Sequence, residues 1–98
     1  MKLWLISQTE NTGCDVYDSA VVAAATEQDA KETYPEDSYT KRFWDKEANK
    51  WYHILDNGIK VFIDLRYGDW TTPNHVTAKY LGETELEPSV ICSSFNAG

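Results

Sequence analysis

The sequence has few of the groups with which proteins bind metals or perform catalysis. Its 98 residues include two cysteines and two histidines, and none of them occurs in a Cys-x-x-Cys or His-x-x-x-His arrangement. Those spacings are typical of zinc sites, so no metal is expected. The five glycines are isolated and no Gly-Lys-Ser/Thr segment is present, which argues against a phosphate-binding loop. Ser93 and Ser94 lack the glycines of a nucleophile elbow. We therefore predict a protein that is not an enzyme and uses no cofactor.

Long hydrophobic runs and an excess of basic residues are also missing. No apolar run reaches the length of about 18 residues that a membrane helix requires, and residues 1–8 become polar too early for a secretory signal. Sixteen acidic residues against nine basic ones give a net charge of −7, which argues against general binding to nucleic acids or anionic membranes. These features predict one acidic domain over residues 1–98 in the cytoplasm. Its cysteines should be reduced, with Cys92 in the core and Cys14 in a loop.

The pattern of apolar residues predicts an α+β fold, with an antiparallel sheet of about five or six strands and one main α-helix packed on one face. Residues 2–7 are expected to form a central strand, and residues 19–25 a second one. A helix is predicted over residues 26–34, because Thr26 suits an N-cap and Pro35 ends the helical geometry. Ala30 and Tyr34 would face inward. Residues 36–49 are expected to be a long loop, residues 71–74 a turn, and residues 75–81 and 90–95 the last two strands.

The strongest local signal is a hairpin over residues 51–66. Two β-rich runs flank Asn57-Gly58, a dipeptide favoured in two-residue type I′ turns because both positions need positive φ. That turn would pair His53 with Phe62 on one face, whereas the opposite face would supply the core with Tyr52, Ile54, Val61 and Ile63. The complete predicted register pairs Asp56 with Ile59, Ile54 with Val61, Tyr52 with Ile63, Leu55 with Lys60 and Trp51 with Asp64.

The charges are unevenly distributed along the chain. Residues 1–40 carry eight acids and two bases (−6), residues 41–66 four acids and six bases (+2), and residues 67–98 four acids and one base (−3). The middle segment is also rich in aromatic residues, and aromatic residues with arginine dominate binding hot spots. The simpler interpretation is that these aromatics form the core. The residues predicted to form a binding surface are Trp51, His53, Phe62, Lys60, Arg66 and Trp44.

A second candidate surface is acidic. Glu27, Asp29 and Glu32 fall on the predicted helix and would resemble the phosphates of DNA toward a nucleic-acid-binding partner. The alternative is that these carboxylates form an ordinary solvated helix face.

Both ends of the chain carry a recognisable pattern. It comprises residues 5–8, Asn11, Gly13, Asp15, the run 17–24, Tyr34-Pro35, Trp70, Pro73, His75-Val76, Leu81-Gly82 and residues 94–98. This pattern resembles small uncharacterised proteins of tailed phages and prophages, although Cys14 and residues 38–66 depart from it. The resemblance implies a small binding protein that inhibits a bacterial defence component stoichiometrically, as anti-CRISPR proteins do, in the cytoplasm of the bacterial host.

That resemblance supplies no catalytic residues and leaves other functions open. The chain would alternatively be a sponge for a nucleotide immune signal, or a housekeeping or structural accessory protein of the phage. The expected partner is a host defence protein, including a nucleic-acid-binding effector, or a second copy of the chain.

Overall fold

The protein is a two-sheet β structure. The computed structural model describes residues 1–10, 16–35, 42–63 and 70–96. Within them, seven strands form two antiparallel sheets, accompanied by one short α-helix and one 3-10 turn. The elements are β1 (Lys2–Ser7), β2 (Val16–Ala24), α1 (Glu27–Lys31), β3 (Arg42–Asp45), β4 (Lys50–Ile54), β5 (Lys60–Phe62), the 3-10 turn (Pro73–His75), β6 (Thr77–Glu83) and β7 (Ser89–Asn96).

The predicted α+β fold with one main helix is therefore wrong. The start of the helix is as expected, since the Thr26 side chain accepts a hydrogen bond from the backbone N–H of Asp29 at 3.1 Å. The helix nevertheless ends at Lys31, after five residues. A short helix forms few backbone bonds in return for its costly first turn, and Thr33, Tyr34 and Pro35 do not extend it. Ala30 and Tyr34 are both buried, as predicted.

The larger sheet has the strand order β6-β1-β2-β7, so β1 is a central strand as predicted. Side chains alternate between its two faces. Trp4 lies opposite Val22 and Ile6 lies opposite Ala20, and all four are buried. The opposite face carries Leu3, Leu5 and Val21, which are only partly buried.

The core joins the inner face of the larger sheet to α1 and to the smaller sheet. Its buried members are Trp4, Ile6, Ala20, Val22, Ala24, Ala30, Tyr34, Trp51, Trp70 and Val76. Tyr34 and Trp51 meet edge-to-face with their ring centroids 5.0 Å apart. Such a contact stabilises by about 0.5–1.5 kcal/mol beyond the burial of area. The two sheets thus share one hydrophobic core.

The smaller sheet has the order β3-β4-β5. Its first strand, Arg42–Asp45, falls within residues 36–49, which were predicted to be a loop; that prediction is wrong for this part. Residues 36–41 lie outside the described residues. The four residues of β3 pair with β4, with Phe43 opposite Tyr52 and Trp44 opposite Trp51.

The hairpin between β4 and β5 exists, but its predicted register is wrong by one residue. Gly58 has a φ of +85° whereas Asn57 does not have a positive φ, so the type I′ turn is excluded. Instead, the Gly58 N–H donates to the Leu55 carbonyl at 2.8 Å, and the Leu55 N–H donates to the Ile59 carbonyl at 2.9 Å. These bonds close a three-residue loop with glycine in the left-handed position. His53 is consequently opposite Val61, and Tyr52 is opposite Phe62.

The structure corrects two smaller expectations. The strand predicted over residues 75–81 begins at Thr77 and continues through Gly82 to Glu83. Cys92 is exposed rather than a core residue, because it lies opposite Val21, on the face of the larger sheet that points away from the core. Cys14 and residues 64–66 of the predicted hairpin lie outside the described residues.

Candidate functional site

Trp51 lies in the core and not on a surface. Its exposed fraction is 0%, and its indole Nε1 donates a hydrogen bond to the Thr71 carbonyl at 2.8 Å. The change of register is the reason, because a shift by one residue moves every side chain of a strand to the other face. The predicted grouping of Trp51, His53 and Phe62 on one face is therefore wrong.

Two further predicted residues share the inner side of the smaller sheet with Trp51. Trp44 is half-buried and packs edge-to-face on Trp51, with 5.2 Å between the ring centroids. His53 is also half-buried, and its Nδ1 is shielded from solvent without a hydrogen-bond partner among the described residues. Arg66 lies outside the described residues. The two remaining predicted binding residues, Phe62 and Lys60, lie on the outer face of the smaller sheet, which is the face opposite to that of Trp51.

The outer face carries a row of aromatic rings across all three strands. Phe43, Tyr52 and Phe62 are directly opposite one another in the register. The ring centroids are 5.6 Å apart between Phe43 and Tyr52 and 6.5 Å apart between Tyr52 and Phe62. Phe43 is 42% exposed and Phe62 is 45% exposed. We call these three residues, together with Lys60, the ladder face.

One exposed aliphatic side chain, that of Ile54, extends the ladder face toward the hairpin loop and is 51% exposed. Leu55 and Ile59 are exposed as well, but the alternation along the hairpin places them on its opposite face. Single exposed hydrophobic residues are common on protein surfaces, whereas a contiguous cluster marks an interaction site. The ladder face is therefore the candidate functional site among the described residues.

Lys60 covers the middle of the ladder. Its ammonium lies 4.2 Å from the ring centroid of Tyr52 and 5.2 Å from that of Phe62. Both distances suit a cation–π interaction. The same ammonium forms an ion pair with Asp45 Oδ2 at 2.5 Å. Lys50 approaches Phe62 from the other side, at 5.7 Å from the ring centroid.

The ion pair shifts both pKa values. The hydrogen bond from Lys60, followed by that from the Ala48 N–H, lowers the pKa of Asp45 below its ordinary value of 3.8. The hydrogen bond to Asp45 raises the pKa of Lys60 above 10.5. Both groups are charged over the whole range between these values, so Lys60 is held in place over Tyr52 at neutral pH.

The Asp45→Asn variant tests this ion pair through its pH dependence. Asparagine keeps the Oδ1 that accepts from the N–H groups of Glu47 and Ala48 at 3.0 Å but removes the charge facing Lys60. Because the folded pKa of Asp45 is lowered, its contribution to stability is present above the unfolded value of about 3.9 and is lost as the pH falls through the folded pKa. The excess Tm of the wild type over Asp45→Asn should therefore shrink below about pH 4.

Thermal melts of both proteins between neutral and strongly acidic pH measure this difference. Lys60→Gln serves as the companion variant, since removing either partner abolishes the same interaction. A Tm difference that stays constant down to the lowest pH would contradict the assignment.

The acidic surface predicted from the sequence is largely compensated by lysines. Glu27 forms an ion pair with Lys31 at 3.5 Å, and Glu32 forms one with Lys46 at 3.5 Å. The Glu32 side chain is only 12% exposed. Asp29 lies in the first turn of α1, where it complements the positive end of the helix. These carboxylates have local structural roles, and they do not form a free row of charges.

Sequence reasoning missed Phe43 and assigned Tyr52 to the core. The two adjacent aromatic residues of Arg-Phe-Trp-Asp, at positions 42–45, favour a strand, but the segment is only four residues long and lies in a polar stretch. Tyr52 was misplaced because its face depends on the hairpin register. A three-residue loop ending in glycine was the alternative that would have placed it correctly.

Within residues 1–10, 16–35, 42–63 and 70–96, no three His, Cys, Asp or Glu side chains are grouped as they would be around a metal ion.

No helix in these same ranges combines the length and apolar character that crossing a membrane requires.

The chain was compared with protein-family models, with curated proteins and with solved structures, and nothing matches in any of the three. The resemblance to phage proteins at the ends of the chain therefore stays a hypothesis, and the ladder face is the structural feature that indicates binding.

Proposed function

We propose that this protein is a non-enzymatic binding protein that attaches to a bacterial defence protein through the ladder face and inhibits it stoichiometrically. The observation that carries the binding part is the aligned row of Phe43, Tyr52 and Phe62 on the outer face of the smaller sheet. The inhibitory role, the phage origin and the location in the host cytoplasm are supported by the resemblance at the ends of the chain.

The ladder face has the properties of a binding hot spot. Aromatic side chains contribute large contact areas at a low cost in conformational entropy. Pairing across three strands limits the motion of the rings before a partner arrives, which reduces the ordering cost of binding. The inner face of the same sheet contributes to the core, so the fold does not need the outer aromatic rings for its own burial.

A protein partner fits this face better than a nucleotide. The Asp45 carboxylate neutralises Lys60 and would repel a phosphate placed next to it. The net charge of −7 adds long-range repulsion of anions. An apolar protein surface would instead be matched by the exposed aromatic rings.

The test begins with the tagged wild-type protein as bait in lysate of a bacterial host, followed by mass spectrometry. The affinity of the identified protein is then measured for the wild type, for Phe62→Ala and for Leu86→Ala. Leu86 is 52% exposed and lies between β6 and β7, so it is a matched control. Loss of a hot spot costs about 2 kcal/mol or more, or roughly a 30-fold weaker Kd. We expect this weakening for Phe62→Ala and none for Leu86→Ala.

The inhibitory part has its own measurement. Titration of the captured protein's activity should reach complete inhibition at one equivalent of this chain. Equal affinities of Phe62→Ala and the wild type would contradict a role of the ladder face. Binding without loss of the partner's activity would favour a phage accessory protein, and tight binding of a nucleotide signal would favour the sponge.

A further inference from the structure

Among the described residues, the two sheets have four edge strands, and three of them carry charged residues. β3 contains Arg42 and Asp45, and β5 is three residues long and begins with Lys60. β6 contains Lys79 and Glu83 and has an irregular register opposite β1. Charge, short length and bulges are the usual means by which an edge strand avoids pairing with another chain. These three edges are therefore protected.

β7 lacks this protection over much of its length. Its eight residues contain neither charge nor proline, and no described strand pairs with its outer edge. Residues 88–98 contain no charged side chain, although 26% of the chain is charged. A chain with a net charge of −7 repels its own copies over most of its surface. The uncharged β7 edge is where two copies approach at the lowest electrostatic cost.

Two irregularities interrupt the pairing of β7 with β2. One inserts Asp18 in β2, between Tyr17 and Ser19, and the other lies in β7 itself and limits which part of it can pair. Ile91 is the extra residue where the register with β2 shifts between Val21 and Val22, and a bulge of this kind bends the strand locally. From Cys92 to Asn96 no further residue is inserted in β7. The side chains of Cys92, Ser93 and Ser94 are exposed. The edge of β7 at these three residues is therefore open to another strand among the described residues.

We propose that β7 is a homodimer interface, in which two copies pair antiparallel and join their larger sheets into one continuous sheet. The symmetry restricts the register of such a pair to those in which one residue lies on the two-fold axis, and the regular segment of β7 selects that residue. A two-fold axis perpendicular to the sheet relates the copies, and it keeps every side chain on its own face. Directly opposite residues also share a face, so the residue at the axis faces its own copy. Ser94 is the middle residue of Cys92–Asn96, so Ser94 faces Ser94 of the second copy.

This interface is independent of the proposed function. The ladder face belongs to the smaller sheet, and pairing through β7 leaves it free. A dimer would carry two ladder faces, so it would bind a multivalent partner with increased avidity. Failure of one proposal would not decide the other.

The test compares two edges of the same sheet. Thr77, Ser7, Ser19 and Ser94 lie in one row across it, so Thr77 is the counterpart of Ser94 on the opposite edge, and both are exposed. Sedimentation equilibrium over a concentration series should show a dimer for the wild type and for Thr77→Lys. Ser94→Lys should be monomeric, because it places two like charges directly opposite each other. Circular dichroism melts check that each variant is folded.

A second measurement covers the case in which Ser94→Lys fails to fold. In a Cys14→Ser, Cys92→Ser background, mild oxidation should link Ser94→Cys into a covalent dimer and leave Thr77→Cys unlinked, because directly opposite residues have Cβ atoms about 4.5–5.5 Å apart. A monomeric wild type throughout the concentration series would overturn the proposal. So would a folded Ser94→Lys variant that remains dimeric, or a Ser94→Cys variant that is not linked.

Discussion

Replacing Trp51 by alanine is expected to lower the free energy of unfolding by about 3–5 kcal/mol. The side chain is fully buried, its ring packs against Tyr34 and Trp44, and its indole N–H is bonded to the Thr71 carbonyl. The change therefore leaves a large cavity and a buried carbonyl without its donor. For a domain of this size, the Tm should fall by more than about 10 °C.

Urea denaturation followed by circular dichroism measures this loss, with Phe62→Ala as the matched control. Phe62 is an aromatic residue of the same hairpin on the outer face, and its contact with Tyr52 accounts for about 1 kcal/mol or less. A Trp51→Ala protein as stable as Phe62→Ala would mean that the core assignment of Trp51, and with it the hairpin register, is incorrect.

Replacing Ile6 by alanine is expected to cost about 2–5 kcal/mol. Ile6 is fully buried in the central strand β1, opposite Ala20 on one side and Ala78 on the other. Because both neighbours are small, they cannot fill the space that Ile6 leaves. The same denaturation experiment measures the effect.

Leu5 is the control for Ile6, because it is adjacent in the strand and faces the opposite side. It is only partly buried, so Leu5→Ala should cost less than Ile6→Ala. The reverse order of the two free energies would show that the faces of β1 are exchanged. Similar large costs for both would show that another layer covers the second face.

The sequence correctly predicted those elements that are determined by residues adjacent to one another along the chain. Strand β1 follows from its apolar run, and the Thr26 N-cap follows from the acid three residues later. The end of the helix was less predictable, because the packing of the chain into sheets overrides the weak helix propensity of five to nine residues. The predicted main helix is accordingly a helix of little more than one turn.

The candidate site was not predictable in detail because it depends on a single residue of register. The segment Asp56-Asn57-Gly58 suits both a two-residue and a three-residue loop, and the two choices place opposite faces of β4 in the core. Composition alone indicated an aromatic and basic region, and Phe62 and Lys60, two of the residues predicted there, are exposed on the outer face. Which aromatics are exposed is decided by the packing of Trp51 against Tyr34 and by β3, neither of which is evident from local sequence.

The distribution of the tryptophans has a consequence for spectroscopy. Trp4, Trp51 and Trp70 are buried, and Trp44 packs against the same core, so none of the four lies on the ladder face. Intrinsic indole fluorescence will therefore report the integrity of the core and will change little when a partner without tryptophan occupies the outer face. A Phe62→Trp variant, read against the unchanged emission of the wild type, would supply the optical signal for that surface.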